Sequence, residues 1–236
     1  MTEVAVVPDV AAAAAELFVE ATAGAVAARG KGSLALTGGS SAPPLFAQLR
    51  KLRIPWAPLQ IFFTDERAVP PDHPLSNYAL ARDGLLQHVK PAGVHRLQGE
   101  APDLAAEAER AAAELRSTLG TPPRFDLVLL GLGPDGHLCS LFAGVPGSAD
   151  RGDDELVRAV AAPEHVDPRV PRLTLTPFLL VTARMVVLQV TGAKKAAVLA
   201  RALKGPPDLV GCPAQWLRNA SGRVVVVADS AAASGL

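Results

Sequence analysis

Residues 129–142 read LLGLGPDGHLCSLF, and how this stretch is parsed decides the fold. Gly131, Gly133 and Gly136 spell G-x-G-x-x-G behind an apolar run, the outward form of a dinucleotide fingerprint. That fingerprint requires a helix after its last glycine, a second strand, and an acid at that strand's end roughly twenty residues on. The acids Asp153 and Asp154 are present, but they stand in a polar, glycine-rich loop with no strand before them. The context fails the nucleotide reading. What remains is Asp135-Gly136-His137 at the tip of a buried strand, an imidazole flanked by a carboxylate and suited to proton transfer. His73, His88, His95 and His165 lack such a setting and read as surface or capping residues.

Outward from this stretch, apolar runs of strand length alternate with alanine-rich helical patterns. Strands are expected over 33–37, 59–63, 125–130, 156–162, 185–190 and 223–228. Helices fit over 9–28, 43–52, 76–88, 103–119 and 193–203, with Ser76 and Asp103 as caps. Nearly continuous apolar strands such as DLVLL and RVVVVA imply burial on both faces. The expected class is α/β: a single domain, 1–236, with a mostly parallel open sheet and helices on both faces. The segment GVPGSADRGDDE, 144–155, reads as a mobile loop beside the site rather than a linker.

Composition narrows the partners. Lys plus Arg and Asp plus Glu both total 23, so the formal charge is zero and no basic field exists to attract nucleic acid or an acidic membrane. Any anion must be bound locally. Cys139 and Cys212 stand far apart with no metal-ligand spacing, which argues against a disulfide framework or a zinc site and for a reducing cytoplasm. The N-terminal stretch carries Glu3, Asp9, Glu16 and Glu20 and lacks the basic region of a signal peptide. The most apolar stretch, 173–190, is interrupted by Pro177 and Arg184 and divides into a strand, a helical turn and a strand, not a membrane span.

In open α/β sheets ligands bind beyond the carboxyl ends of the strands, so the loops there matter most. In LALTGGSSAPPLF, Gly38 and Gly39 let the backbone approach a ligand, and a helix start at Ser40-Ser41 suits a phosphate. In IFFTDERAVPPDHPLSNY, Asp65, Glu66 and Arg67 directly follow a strand; an arginine there can fork onto a phosphate and a carboxylate can hold it or orient a histidine. In TGAKK, Lys194 and Lys195 fall in the first turn of a helix, where cations are unfavourable unless an anion offsets them.

Several motifs then fall in one order. TGGSS resembles a G-G-S-T phosphate loop, FFTDERAVPPDHPLSNY an F-x-D-E-R-x-V-P…S-N-Y segment, and GLGPDGHLCSLFAG a G-x-G-x-D-G-H-x-A-S-L-F-P-G signature. RLTLT, TGAKK and the terminal RVVVVADSAAA complete the set. Together they make the chain resemble the 6-phosphogluconolactonases, sugar-lactone hydrolases of the pentose phosphate pathway, nearly end to end. The resemblance implies a Rossmann-like fold of the glucosamine-6-phosphate isomerase superfamily. It implies hydrolysis of 6-phospho-D-glucono-1,5-lactone with His137 as general base and either Asp135 or Asp65 orienting the imidazole. It implies that Gly38, Gly39, Ser40, Arg67 and Lys195 hold the 6-phosphate, with Arg172 a further candidate that could instead pair within the fold. No metal and no cofactor are expected, and the partner is a small phosphorylated lactone. A cytoplasmic monomer or small homo-oligomer is expected, without nucleic-acid or membrane partners.

The chain departs from the pattern at Leu138, Cys139 and Ala143, near His137, and at Val181-Thr182, where the family often has Asn. Glucosamine-6-phosphate deaminases share the fold and a D-G-H motif, but they place a catalytic Glu five residues after the His, where this chain has Phe142, and a Tyr where it has Arg67. Sugar-phosphate-sensing domains of transcription regulators are a non-enzymatic alternative of the same class; they carry an N-terminal helix-turn-helix that does not precede the pattern here.

Overall fold

The computed structural model describes residues 2–145, 147–152 and 154–236. Pro146 and Asp153, both in the glycine- and aspartate-rich loop, lie outside the described residues. The strands are β1 (Thr2–Val6), β2 (Gly32–Leu36), β3 (Leu59–Phe63), β4 (Asp65–Arg67), β5 (Gly93–Val94), β6 (Leu127–Gly131), β7 (Val157–Val160), β8 (Arg172–Leu175), β9 (Met185–Val190) and β10 (Arg223–Ala228). The helices are α1 (Val10–Arg29), α2 (Ala42–Leu49), α3 (Asn77–Gly84), α4 (Leu104–Leu119), α5 (Pro177–Thr182) and α6 (Ala196–Lys204).

Seven strands form one sheet in the order β1-β10-β9-β6-β2-β3-β5, and every pairing in it is parallel. From β2 the chain proceeds to β3 on one side, whereas from β6 it proceeds to β9 on the other, so the strand order reverses between β2 and β6. The loops leaving these two strands diverge there and open the crevice that such reversals produce.

Alternation along the strands builds two cores. Leu127 and Leu129 of β6 pack into a cluster with Phe18 of α1 and Phe46 of α2. Val128 and Leu130 join the opposite cluster with Leu115 of α4 and Leu199 of α6. The continuous apolar strands are thus buried on both faces, as all six residues of β9 demonstrate. Helix α1 is long and apolar enough to cross a bilayer by length and composition. Its Val10, Ala14, Ala15 and Phe18 are nevertheless buried in the core.

Caps fix the helix starts. Asp9 accepts from Ala12 N, Ser76 from Ala79 N, and Asp103 from both Ala105 N and Ala106 N. The segment 173–190 divides as read, into β8, the single-turn helix α5 and β9.

The expected strand over 156–162 forms as β7, but outside the parallel sheet. It pairs antiparallel with β8, which pairs antiparallel with β4, giving a separate three-stranded sheet. Its Val157, Leu173 and Leu175 share the core of the α4/α6 face, so the small sheet is pinned against the large one. The edge strand β1 lies outside the expected set as well. Its five residues are all at least partly exposed and it pairs only with β10, more than 200 positions away, so no local pattern announces it.

Candidate active site

A cavity of about 380 Å³ opens where β2 and β6 diverge. Its walls come from both loops, from the β3–β4 junction, from the loop between β7 and β8, and from the end of β9. Gly38, Gly39, Ser40, Asp65, Arg67, His137, Arg172 and Lys195 all line it; Asp135 stands just behind His137.

The loop after β2 turns at Gly39, whose φ of 74° favours glycine. A side chain at Gly38 would collide with the Asn77 amide, so backbone and Asn77 pack directly together. The two residues that follow Ala42 in α2 are Pro43 and Pro44, which have no N–H to offer. Donors at this corner are therefore the backbone groups of Gly38 to Ser41, not the first turn of the helix.

The loop after β6 explains two of the three glycines of the opening motif, Gly131 being the last residue of the strand. Gly133 N–H donates to the His137 carbonyl at 2.9 Å, and a Cβ at Gly133 would run into the His137 imidazole. Gly136 has φ 96°, and a Cβ there would approach Cys212 Sγ to 2.8 Å. The glycines thus shape a tight turn around an imidazole. Cys139 continues the turn with φ 52°, an uncommon conformation for a residue with a side chain. Burial and the nearby Asp65 push its thiol pKa up, so it is kept protonated.

His137 Nδ1 lies 2.6 Å from Asp135 Oδ1, and the His137 backbone N–H donates to the same oxygen at 3.2 Å. Burial alone would raise the Asp135 pKa. The hydrogen bond and charge of His137, its backbone N–H and a bond from His165 overcome this and hold the carboxyl well below its ordinary value. An ionised carboxylate only accepts hydrogen bonds, so Nδ1 carries a proton toward Asp135, and in the neutral imidazole the lone pair falls on Nε2.

Asp65, the other carboxylate considered for this role, is engaged elsewhere. Its Oδ2 accepts from Ser140 Oγ at 2.7 Å, and its Oδ1 from Asn77 Nδ2 at 3.1 Å and Thr64 Oγ1 at 3.3 Å. It ties the β3–β4 junction to the His137 loop. Glu66 caps α3: its two oxygens accept from the backbone N–H groups of Arg67, Asn77 and Tyr78 and from Ser76 Oγ.

Arg67 and Arg172 are register partners across the antiparallel β4–β8 ladder. Arg67 donates from Nη1 to the Leu75 carbonyl at 2.6 Å, while its Nε is buried without a hydrogen-bond partner among the described residues. Arg172 pairs within the fold, but with carbonyls: Nε donates to Val170 O at 3.0 Å and Nη2 to Pro168 O at 2.6 Å. Burial and the neighbouring Arg67 pull its pKa down to about 10. Lys195 donates to the Leu132 carbonyl at 2.7 Å, and its pKa is lowered by burial against the opposing pull of Asp135. The three cations face one cavity, an arrangement made for an anion.

Three further residues belong to the wall. His165, read from sequence as a surface or capping residue, lines the cavity and lies 3.1 Å from Asp135 Oδ2 through Nε2. Nothing in its loop signals this; the fold brings it to a carboxylate 30 positions away. His165 does keep an exposed side chain, 44% accessible, whereas His95 is part-buried, stacks on Phe62 at 4.2 Å and contacts Glu114 and Gln60. Gln189, buried at the end of β9, and Asn77 also line the cavity, with Gln189 Nε2 and Asn77 Oδ1 unpartnered among the described residues. A glutamine inside the otherwise apolar MVVLQV was the available signal for the first. Among the described residues no cluster of three or more His, Cys, Asp or Glu side chains has the geometry to hold a metal.

The loop over 144–155, read as a mobile neighbour of the site, is anchored through its described residues, none of which lines the cavity. Arg158 Nη1 donates to the carbonyls of Gly147, Ser148 and Asp150, and Trp216 Nε1 to that of Ala149 at 2.8 Å.

Residues 7–226 match the family described as glucosamine-6-phosphate isomerases/6-phosphogluconolactonase. A 6-phosphogluconolactonase of Synechocystis is 36% identical over 218 residues, covering 90% of this chain and 88% of the relative. A human 6-phosphogluconolactonase is 36% identical over 237 residues, covering 95% and 89%. Among solved structures, a 6-phosphogluconolactonase from Trypanosoma cruzi superposes with a TM-score of 0.88 at 30% identity, covering 100% of this chain and 96% of that one.

Proposed function

Because the chain belongs to the family of glucosamine-6-phosphate isomerases and 6-phosphogluconolactonases, as an enzyme of its lactone-hydrolysing branch, we propose that it hydrolyses 6-phospho-D-glucono-1,5-lactone to 6-phospho-D-gluconate in the pentose phosphate pathway, with His137 activating the attacking water. The observation that carries the proposal is the 2.6 Å contact between His137 and Asp135 in a cavity that also holds Arg67, Arg172 and Lys195.

A lactone carbonyl is an ester-like electrophile, and its hydrolysis needs a base for water and stabilisation of the charge that develops. Nε2 of His137 takes a proton from water as the oxygen adds to C1, and Asp135 stabilises the imidazolium. The tetrahedral intermediate then collapses, the bond from C1 to the ring oxygen breaks, and the imidazolium returns its proton to that oxygen. Arg67, Arg172 and Lys195, with the backbone of Gly38, Gly39 and Ser40, hold the 6-phosphate and thereby position C1. Such orientation is worth up to about 7–11 kcal/mol in ideal cases. The same reading has the enzyme act on a small phosphorylated lactone in the cytoplasm, where Cys139 and Cys212 remain free thiols.

The deciding experiment follows hydrolysis of freshly prepared 6-phosphogluconolactone, corrected for its spontaneous reaction, beside ammonia release from glucosamine 6-phosphate. Lactone hydrolysis alone is expected. Ammonia release, or sugar-phosphate binding without either activity, would reject the proposal in favour of a deaminase or a sensor.

A further inference from the structure

Asp135 is shared between two imidazoles, one on each carboxylate oxygen: Oδ1 meets His137 Nδ1 at 2.6 Å and Oδ2 meets His165 Nε2 at 3.1 Å. We infer that His165 is a positioning residue for the reaction, donating its Nε2–H to Oδ2 so that the carboxylate plane is fixed and Oδ1 alone is presented to His137. The inference rests on the proposed role of His137 as base.

The physical need arises from Asp135 itself. Its terminal torsion is a broad, roughly two-fold well, so the side chain sets no unique plane for its carboxylate. The side chain is 21% exposed and sits in a turn between Gly133 and Gly136, and both donors to Oδ1 belong to His137 itself. Both of those bonds restrain Oδ1 alone; a bond from His165 to Oδ2 restrains the other end of the carboxylate from a separate loop. Misalignment would matter because the tautomer of His137, and hence the lone pair on Nε2, follows from what its Nδ1 meets.

His165 is 44% exposed, and two neighbours restrain it on its covered side. Phe142 meets the His137 ring edge-on at 5.3 Å and 65°, and the His165 ring at 6.5 Å and 80°, so one buried phenyl ring sets the tilt of both imidazoles. The loop that carries His165 runs directly into β8, and Arg172 braces it by donating to the carbonyls of Pro168 and Val170. The small antiparallel sheet therefore supplies both a cation for the anion site and the second support of the dyad.

The test compares His165→Ala and His165→Gln with the wild-type enzyme by kinetics and by nitrogen-15 NMR of labelled histidine. A Gln side chain can donate from Nε2 but offers no ring. The wild type should show His137 as a single Nδ1–H tautomer with a slowly exchanging, downfield proton. His165→Ala should lower kcat about tenfold, the scale of one hydrogen bond to a charged group, with KM nearly unchanged. It should also broaden the proton signal or admit the second tautomer, and His165→Gln should restore most of both.

An unchanged His137 signature in folded His165→Ala overturns the inference, as does a rise in KM at constant kcat, which would make His165 a substrate contact. The spectroscopic arm does not depend on turnover. If the wild type fails to hydrolyse the lactone while the signature still responds to His165, the proposed function falls and the coupling of the two rings stands.

Discussion

Arg67 and Arg172 stand directly opposite one another in the β4–β8 ladder, two guanidinium groups on facing positions beside one cavity. Like charges facing across a sheet destabilise it unless something offsets them. Among the described residues neither is salt-bridged to a carboxylate; both are held by carbonyls, and burial beside Arg67 lowers the pKa of Arg172. Asp65 and Glu66 oppose that shift only in part, and the arrangement suits a ligand that brings further negative charge.

Inorganic phosphate should therefore stabilise the protein. At about ten times its Kd it should add about 1.4 kcal/mol, a rise in Tm of about 3–6 °C for a chain of this size. Differential scanning fluorimetry, with chloride at equal ionic strength as the control, measures this. Arg67→Ala and Arg172→Ala should each lose most of the shift, and a shift that survives both would place the anion elsewhere.

His137→Ala should lower kcat by roughly 10²–10⁴-fold, the usual contribution of general acid–base catalysis, while KM changes little. The steady-state assay needs correction for the spontaneous reaction of the lactone. Near-normal turnover would remove His137 from the mechanism.

Asp135→Asn should impair turnover on a similar scale and also change the acid response of stability. The folded carboxyl is held below its ordinary value of 3.8, so its contribution is fully present above that value and disappears as pH falls through the lower folded value. The stability gap between wild type and Asp135→Asn should be largest near neutral pH and shrink below about 3.8. Urea unfolding across that range reads it directly, and a gap that widens in acid would contradict the assignment.

Gly133→Ala separates geometry from folding. Gly133 is not among the glycines with positive φ, so alanine suits its backbone, but the added Cβ would occupy the space of the His137 ring. We expect a loss of about 10²-fold in kcat from the displaced imidazole, with a near-native circular dichroism spectrum. Wild-type kinetics would mean that the turn can relax without moving His137.

The parts of this fold that were legible in the sequence are those governed by local chemistry. The apolar runs of β6 and β10 and the caps at Ser76 and Asp103 declare themselves within a few residues. So does the Asp135-Gly136-His137 turn. The sequence left Asp135 and Asp65 as equal candidates for orienting the imidazole, because choosing between them requires knowing that Ser140 and Asn77 occupy Asp65. His165 and the antiparallel sheet escaped notice for the same reason: each gains its meaning from partners far along the chain. The β4–β8 ladder joins residues more than 100 positions apart, Arg67 to Arg172 in one case, and so the pairing of the two arginines has no sequence signal even though each was singled out alone.

The bond from Ser140 Oγ to Asp65 Oδ2 has a consequence for selectivity. It ties the loop that carries His137 to the strand junction that leads into Arg67, and so fixes the span between the proposed base and the proposed phosphate seat. If those two roles hold, a site braced in this way would measure its substrate as a ruler does. A phosphorylated lactone one carbon shorter could seat its phosphate and still fall short of the imidazole, so discrimination would come from length before any hydroxyl is read.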